Sequence, residues 1–395
     1  MRAIVAGAGI AGLVVARELV LAGWEVAVVE KSAGPRPDGY MMDFFGAGVE
    51  AAERIGLYPR LADAAYPVEA AEYVDTRGRR TCSIDYRTFT RLAGGKVLSL
   101  LRPDLELAAL AALDDVPAGN VRLHYGAAVA KAWEDSDGVH ITVQGPPERT
   151  LSADVLIGAD GIHSEVRSWI FGPEEQYLRP MGMRAAAFIA RDQDLNRRFR
   201  NRFVLTDSLN KMAGMYGIRS DEVAAFLVYR PPDNHNNPAD NPDVQERLRQ
   251  EFTGLGNTVD RLMQLCPKNP YDDLVAQIIM PGWHTSHCVL VGDACGAVSL
   301  LAGQGGSLAV AGAALLGETL RRADAPAQIA PAIADFERTW RPRILTAQEA
   351  GRRAARSFLP RNPAQRLARR WIIRATHVPG IDRYVGRQIL ARTAP

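Results

Sequence analysis

The sequence predicts an α/β protein. A Rossmann-like domain is assembled from separated pieces of chain, a mostly antiparallel β-sheet domain is inserted between them, and helices close the C-terminus. Three observations predict this. A glycine cluster, Gly7-Ala8-Gly9-Ile10-Ala11-Gly12, follows an apolar strand at the start of the chain. A second cluster, Gly292-Asp293-Ala294-Cys295-Gly296 with Gly303-Gln304-Gly305-Gly306, follows another apolar strand far downstream. Between residues 183 and 229 the chain reads as successive short strands.

At the first cluster, Ala3-Ile4-Val5-Ala6 is a strand, Leu13 to Val20 has helical periodicity, and Val26-Ala27-Val28-Val29 is a strand ending at Glu30. Strand, glycine turn, helix, strand, acid is the order of a dinucleotide-binding βαβ unit. Gly7 permits the tight turn, Gly9 removes a side chain where pyrophosphate approaches the backbone, and Gly12 lets the helix pack close to the strand. The helix N-terminus offers phosphates its free N–H groups and positive dipole end. Glu30 can accept both ribose hydroxyls of an adenosine, which favours FAD or NAD over NADP as the tightly held dinucleotide. Ala11 in the turn and Lys31 beside the acid complete the candidates at this end. The competing reading of the glycines is tight-turn packing alone.

At the second cluster, Cys288 to Val291 reads as a buried strand closed by Gly292, so Asp293 stands at a strand C-terminus, the ligand edge of a parallel sheet. A carboxylate there can accept a ribityl hydroxyl, or it can be a helix N-cap. Gly303, Gly305 and Gly306 open a helix whose N–H groups would stabilise a negative isoalloxazine N1/C2=O edge, or they serve close packing of helix on sheet. A third strand, Ala153 to Gly158, ends in Ala159-Asp160-Gly161-Ile162-His163-Ser164. Asp160 is placed to orient an N–H near the pyrophosphate or to hold Arg102, and Ser164 to cap the next helix. Arg102 precedes Pro103 at a helix start, within reach of phosphate or ribose, or as a bare surface arginine.

Size and charge agree with this reading. The chain has 395 residues, room for one large core and a smaller one. A net charge of +2 and 47% hydrophobic residues exclude a disordered chain and give no global reason to expect nucleic acid or membrane insertion. The buried-strand pattern starting directly after Met1-Arg2 leaves no room for a signal peptide. Four cysteines at unrelated spacings form no metal-ligand pattern and read as reduced thiols of a cytoplasmic protein.

Together, Gly7/Gly9/Gly12, Arg102, Asp160-Gly161, and Gly292-Asp293 with Gly303/Gly305 resemble the class A flavoprotein aromatic hydroxylases, the p-hydroxybenzoate hydroxylase fold, over roughly residues 1 to 345. The resemblance implies an enzyme with tightly bound FAD. Glu30 would bind the adenosine ribose, Arg102 would contact FAD, and Asp160 would serve FAD and the transient docking of NADPH. Asp293 would bind the ribityl chain, and the turn at Ala302 to Gly306 would contact the ring. In such enzymes NADPH or NADH reduces the flavin, O₂ forms a C4a-hydroperoxide, and an oxygen atom passes to an aromatic or polycyclic substrate. No second glycine fingerprint is present, so the nicotinamide cofactor visits rather than resides. Three positions depart from the family: Cys295-Gly296 where it has Ala-His, Leu300 where it has proline, and Ser307 where it has asparagine. They motivate other outcomes on the same fold, namely Baeyer–Villiger insertion, epoxidation or dehydrogenation. A flavin-holding protein without turnover is the alternative from another class. Trp133, Trp169 and Trp283 lack the Trp-x-Trp-x-Ile-Pro context of the flavin halogenases.

The expected flavin domain comprises 1–72, 98–178 and 281–345, and the substrate-binding sheet 73–97 and 179–280. The sheet would cover the flavin ring, with Phe203, Met212, Met215, Tyr216, Phe226 and Tyr229 as lining candidates and Tyr216 first among them, because a phenol can orient a polar substrate. Pro231 to Pro242 reads as a loop. The tail, 346–395, reads as basic helices packed on the flavin domain with arginines outward, and ends too soon for the thioredoxin-like third domain of some larger hydroxylases. The expected protein is a monomer or homodimer whose partners are O₂ and a small aromatic or polycyclic substrate.

Overall fold

The computed structural model describes all residues except 38, 118, 137, 145–147, 220, 232–242 and 376–395. Most of the loop expected at 231–242, and the apolar tail positions from Val378 on, therefore lie outside the described residues.

Strands Arg2–Ala6, Val155–Gly158 and Cys288–Leu290 are buried along nearly their whole length, without alternation, as strands covered on both faces must be. They are three consecutive strands of a five-stranded parallel sheet, in the order Cys288–Leu290, Val155–Gly158, Arg2–Ala6, Glu25–Glu30, Val121–Tyr125. The register sets Ala6 opposite Gly158 and Val29, and Gly158 opposite Leu290. The chain thus leaves the sheet side by side at Gly7, Ala159 and Val291, with Glu30 in the same row. Register alone brings the three acid- and glycine-bearing turns together. Helices Ile10–Leu21 and Gly305–Leu320 cover one face of this sheet and contact each other.

A seven-stranded sheet forms the second layer, in the order Tyr271–Ile278, Leu178–Arg191, Glu222–Tyr229, Lys211–Gly217, Arg202–Ser208, Ala70–Val74, Arg80–Asp85. Every pairing is antiparallel except the parallel pair Arg202–Ser208 and Ala70–Val74. Helices Gln193–Phe199, Val244–Phe252 and Asn257–Gln264 cover its outer face. The inner face turns towards the Rossmann layer and meets Leu101, Leu300 and Leu301. A two-stranded ribbon, Met41–Phe45 with Val97–Leu101, and a three-stranded sheet over residues 129–153 were not anticipated. No helix among the described residues is long and apolar enough to cross a membrane.

Two boundaries and one orientation differ from expectation. The 72/73 boundary cuts strand Ala70–Val74, and the 345/346 boundary falls inside the continuous helix Ile329–Phe358. Helix Pro363–Ala375 does not turn its arginines outward. Arg366, Arg369 and Arg370 converge on Asp207, a buried carboxylate of the seven-stranded sheet, while Leu367, Trp371 and Ile372 are exposed. An unpaired carboxylate at that depth would be costly, and the arginines offset it.

Candidate active site

A cavity of about 890 Å³ opens where the parallel strands end. It runs from Gly7, Gly9, Glu30 and Lys31 past Arg102, Asp160 and Asp293 to Leu300, Gly303 and Gly305, and Tyr271, Asp273 and Leu274 of the larger sheet close it. Ala11, Gly12, Gly292 and Gly306 stand behind its wall.

The glycines divide into two kinds. Gly7 has φ of +103°, and a Cβ there would lie 2.5 Å from the Ala159 carbonyl oxygen. A Cβ on Gly12 would lie 1.9 Å from the Gly7 carbonyl oxygen, so this glycine serves close packing. A Cβ on Gly9, by contrast, would have no neighbour within 4 Å, and Gly9 stands at the N-cap of helix Ile10–Leu21. Gly303 and Gly305 are equally open, at the start of helix Gly305–Leu320. Gly306 is turned the other way, where a Cβ would strike Met42 Cε at 2.4 Å, so it is a packing glycine. Gly292 abuts the Ala11 methyl, which joins the two clusters directly.

The acids are held differently. Glu30 accepts the amides of Ala8 at 2.9 Å and Ser32 at 2.8 Å. Burial works to raise its pKa, but these backbone bonds outweigh burial and hold the carboxyl below its ordinary value. Each oxygen keeps a further lone pair for a ribose hydroxyl. Asp160 accepts the Ser164 hydroxyl at 2.6 Å and the Val166 amide at 3.0 Å, so it braces helix Glu165–Ile170, which Ser164 caps. It does not hold Arg102. Burial pushes the Asp160 carboxyl up.

Arg102 pairs instead with Glu106 at 2.7 Å through Nη2, and its buried Nη1 has no partner. A buried guanidinium nitrogen left unpaired is costly, and an anionic or hydroxyl oxygen in the cavity would satisfy it. Asp293 is not the N-cap, which is Gly292; it is the first residue of the short turn Asp293–Gly296 and is open to the cavity. The protein enclosing it pushes its carboxyl up, against the charge of Arg102.

Tyr216 lies outside the cavity lining, as do the other candidates Phe203, Met212, Met215, Phe226 and Tyr229. Tyr216 is 1% exposed, its hydroxyl donates to the Pro67 carbonyl at 2.9 Å, and its ring meets Tyr66 edge-on. Alternation sends Phe203, Met212, Tyr216 and Phe226 to the inner face, whereas Met215 and Tyr229 pack outward beneath the covering helices. Sequence reasoning missed Tyr40, which lines the cavity and packs on Phe226 at 5.4 Å and Tyr271 at 6.5 Å. It also missed His163, which bridges Glu174 at 2.9 Å and Asp273 at 3.2 Å; its place directly after Asp160-Gly161-Ile162 was a usable signal.

The three departures acquire physical reasons in part. A Cβ at Gly296 would lie 2.8 Å from Ile344 Cγ2, so helix Ile329–Phe358 packs where a larger residue would stand. Ser307 Oγ accepts the Phe45 amide at 3.1 Å and ties the Gly305–Leu320 helix to the ribbon. Leu300 lines the cavity beside Ser299, whose φ of +89° is strained for a non-glycine residue.

The open glycines, the unpartnered guanidinium and the carboxylates along one cavity fit an extended FAD. The profile of the FAD binding domain family matches residues 1–323. An uncharacterised protein of Mycobacterium tuberculosis is 32% identical over 338 residues, covering 81% of this chain and 85% of its own. A flavin-dependent monooxygenase of an unknown prokaryotic organism is 27% identical over 363 residues, covering 91% and 90%. Among solved structures, tetracycline destructase Tet(51) superposes with a TM-score of 0.81 at 24% identity, covering 100% of this chain and 98% of its own. The chain belongs to the FAD binding domain family and has the fold of the class A FAD-dependent monooxygenases.

Proposed function

We propose that this protein uses NADPH or NADH, FAD and O₂ to hydroxylate an aromatic or polycyclic organic compound. The observation that carries this reading is the single cavity joining Gly9 and Glu30 to Leu300, Gly303 and Gly305 beside the larger sheet. The adenosine ribose of FAD would rest on Glu30 and its pyrophosphate over Gly9 at the helix N-terminus. Arg102 Nη1 would reach a phosphate or ribityl oxygen, Asp293 a ribityl hydroxyl, and the turn at Gly303–Gly305 the N1/C2=O edge of the ring. Bound FAD supplies the redox chemistry and the activation of O₂. The chain's own residues bind, orient and exclude water. The positive end of helix Gly305–Leu320 favours negative charge at the ring edge, and Tyr40, Tyr271 and Leu300 of the cavity lining offer a flat apolar compound its surface. The nicotinamide has no glycine turn of its own and is a transient visitor.

The test is direct. The purified protein is expected to be yellow, to release FAD rather than FMN, and to oxidise NAD(P)H faster when some member of a panel of phenols, quinones and polycyclic aromatics is added. The product should gain one oxygen atom. A colourless protein that cannot be reconstituted with FAD sinks the reading, and a yellow one that no compound stimulates leaves only a flavin-holding role. Leu300 in the cavity wall favours a second outcome, Baeyer–Villiger insertion, epoxidation or dehydrogenation, which product mass and structure separate from hydroxylation.

A further inference from the structure

Two aromatic residues of the cavity wall come from different layers of the fold. Tyr40 directly precedes strand Met41–Phe45, and its carbonyl accepts the Arg102 amide at 3.0 Å, which ties it to the Rossmann side. Tyr271 opens strand Tyr271–Ile278, an edge of the seven-stranded sheet. Alternation in that strand turns Tyr271, Asp273 and Val275 to the inner face, while Asp272 turns outward to Arg184 and Arg247. Both tyrosines line the cavity, and their ring centroids are 6.5 Å apart.

Their place along the cavity follows from Phe226. Tyr40 packs on it at 5.4 Å, and Phe226 belongs to the inner-face cluster that holds Leu300 and Leu301, the turn leading to Gly303. The pair thus stands at the end of the cavity given above to the flavin ring, on the side of the larger sheet.

The two hydroxyls are set apart from the others. Those of Tyr86, Tyr177, Tyr216 and Tyr229 donate to protein oxygens. Among the described residues, the hydroxyls of Tyr40 and Tyr271 have no hydrogen-bond partner, and neither is sealed from the cavity. Burial pushes both phenols up, Asp293 adds to this and Arg102 opposes it, so both stay protonated donors. A donor enclosed in a cavity wall favours a ligand that offers it an acceptor over one of the same shape that does not.

The spacing limits how a ligand can sit. A ring sandwiched between two others needs about 7 Å between the outer centroids, twice the contact distance of about 3.5 Å. At 6.5 Å and 40° the pair admits none, so a flat compound meets it from the cavity, where the hydroxyls open.

We infer that Tyr40 and Tyr271 are specificity-determining residues whose hydroxyls donate hydrogen bonds to a carbonyl oxygen conjugated to the ring of a flat substrate. The inference rests on the function proposed above and names its substrate class, an aryl ketone or quinone-like compound. Neutral donors select a carbonyl because a hydrocarbon edge accepts nothing. A carboxylate is disfavoured, because Asp273 and Asp293 already set a negative field at the Tyr271 hydroxyl.

The test titrates FAD-loaded protein with 1-indanone and with indane, which has CH₂ in place of the carbonyl, following the change in flavin absorbance. The wild type is expected to bind the ketone about tenfold more tightly, as two neutral hydrogen bonds allow. Tyr271→Phe and Tyr40→Phe keep the rings, and each should cut that preference to about threefold; the double variant should abolish it. Affinity for indane, FAD content and thermal midpoint should stay unchanged in all three. Equal wild-type affinities, or no binding of 1-indanone at millimolar concentration, overturn the inference. So do variants that keep the full preference, and so do variants that lose FAD instead, because the hydroxyls then serve the cofactor. Failure here with FAD bound and NAD(P)H oxidation stimulated by other aromatics refutes the role of the two phenols alone; a protein that binds no FAD refutes the function itself.

Discussion

The guanidinium of Arg167 donates to the Ala294 carbonyl at 2.9 Å and so pins the loop carrying Asp160 to the turn carrying Asp293. The same side chain donates to the Ile162 carbonyl at 2.8 Å and pairs with Glu174 at 2.7 Å, and it is wholly buried. One residue thus sets the spacing of two acids that face the same cavity. Arg167→Leu should cost about 3–5 kcal/mol, since it strands buried acceptors and a carboxylate. Urea denaturation reads the loss, and FAD retention should fall with it. An unchanged urea midpoint would show that the two loops hold their spacing without the arginine.

Gly9 and Gly12 look equivalent as letters but differ in space. A methyl on Gly12 meets a carbonyl oxygen at 1.9 Å, whereas a methyl on Gly9 meets nothing within 4 Å. Gly12→Ala should therefore lower the thermal midpoint and yield little soluble protein. Gly9→Ala should fold with a near-normal midpoint yet retain much less FAD, because its methyl occupies the pyrophosphate's approach. Full FAD occupancy in Gly9→Ala would remove the pyrophosphate from that turn.

This contrast shows what was legible in the chain and what was not. The parallel sheet and its turns read well because strand, glycine and acid follow one another locally. Glu30 and Asp293 end apolar strands, and the ends of such strands meet at one edge. Tyr216 did not read well: period-2 alternation assigns its face, but its hydroxyl goes to Pro67, distant in sequence. Gly305 and Gly306 are adjacent, yet a helix turns about 100° per residue, so one opens to the cavity and the other packs on Met42. The arginines of helix Pro363–Ala375 read as solvated because charge favours water, and Asp207, which draws them in, sits on a distant strand. Tyr40 and Tyr271 gave no signal, because they lie far apart in the chain and meet only in the fold.

Asp293 and Cys295 are two residues apart but face differently. Asp293 opens to the cavity, while Cys295 is buried with its Sγ 3.5 Å from the Gly292 carbonyl oxygen. Burial pushes that thiol well up, so it stays protonated and inert. Asp293→Ala should weaken FAD retention about tenfold or more, the worth of a hydrogen bond to a charged group. Cys295→Ser should leave retention within about twofold, although it buries a hydroxyl. Comparing released FAD after gel filtration of both variants checks this, and equal retention would refute the role given to Asp293.

His163 links the two layers through titratable groups, so its pairing should appear in the pH dependence of stability. Hydrogen bonding to Asp273 raises its pKa to about 9, with Glu174 adding to the effect and burial opposing it. A histidine raised above its unfolded value of 6.5 contributes stability that is fully present below about pH 6.5 and lost as pH rises through about 9. Asp273 belongs to the edge strand of the larger sheet, and Glu174 follows the helix that Asp160 braces, so losing the charge loosens the contact between the layers at the cavity mouth. The side chain is 47% exposed, so solvent and salt screen the effect and it should shrink at high ionic strength. Asp43, whose carboxylate accepts from Tyr86 and Ser99, does not confuse the window. Its carboxyl, raised from 3.8 to about 6, gives stability that is lost between those values, on the acid side. Denaturation of wild type and His163→Asn from pH 6 to 10 should therefore show a fall between about 6.5 and 9 that the variant lacks, and parallel curves would mean that His163 carries no such coupling.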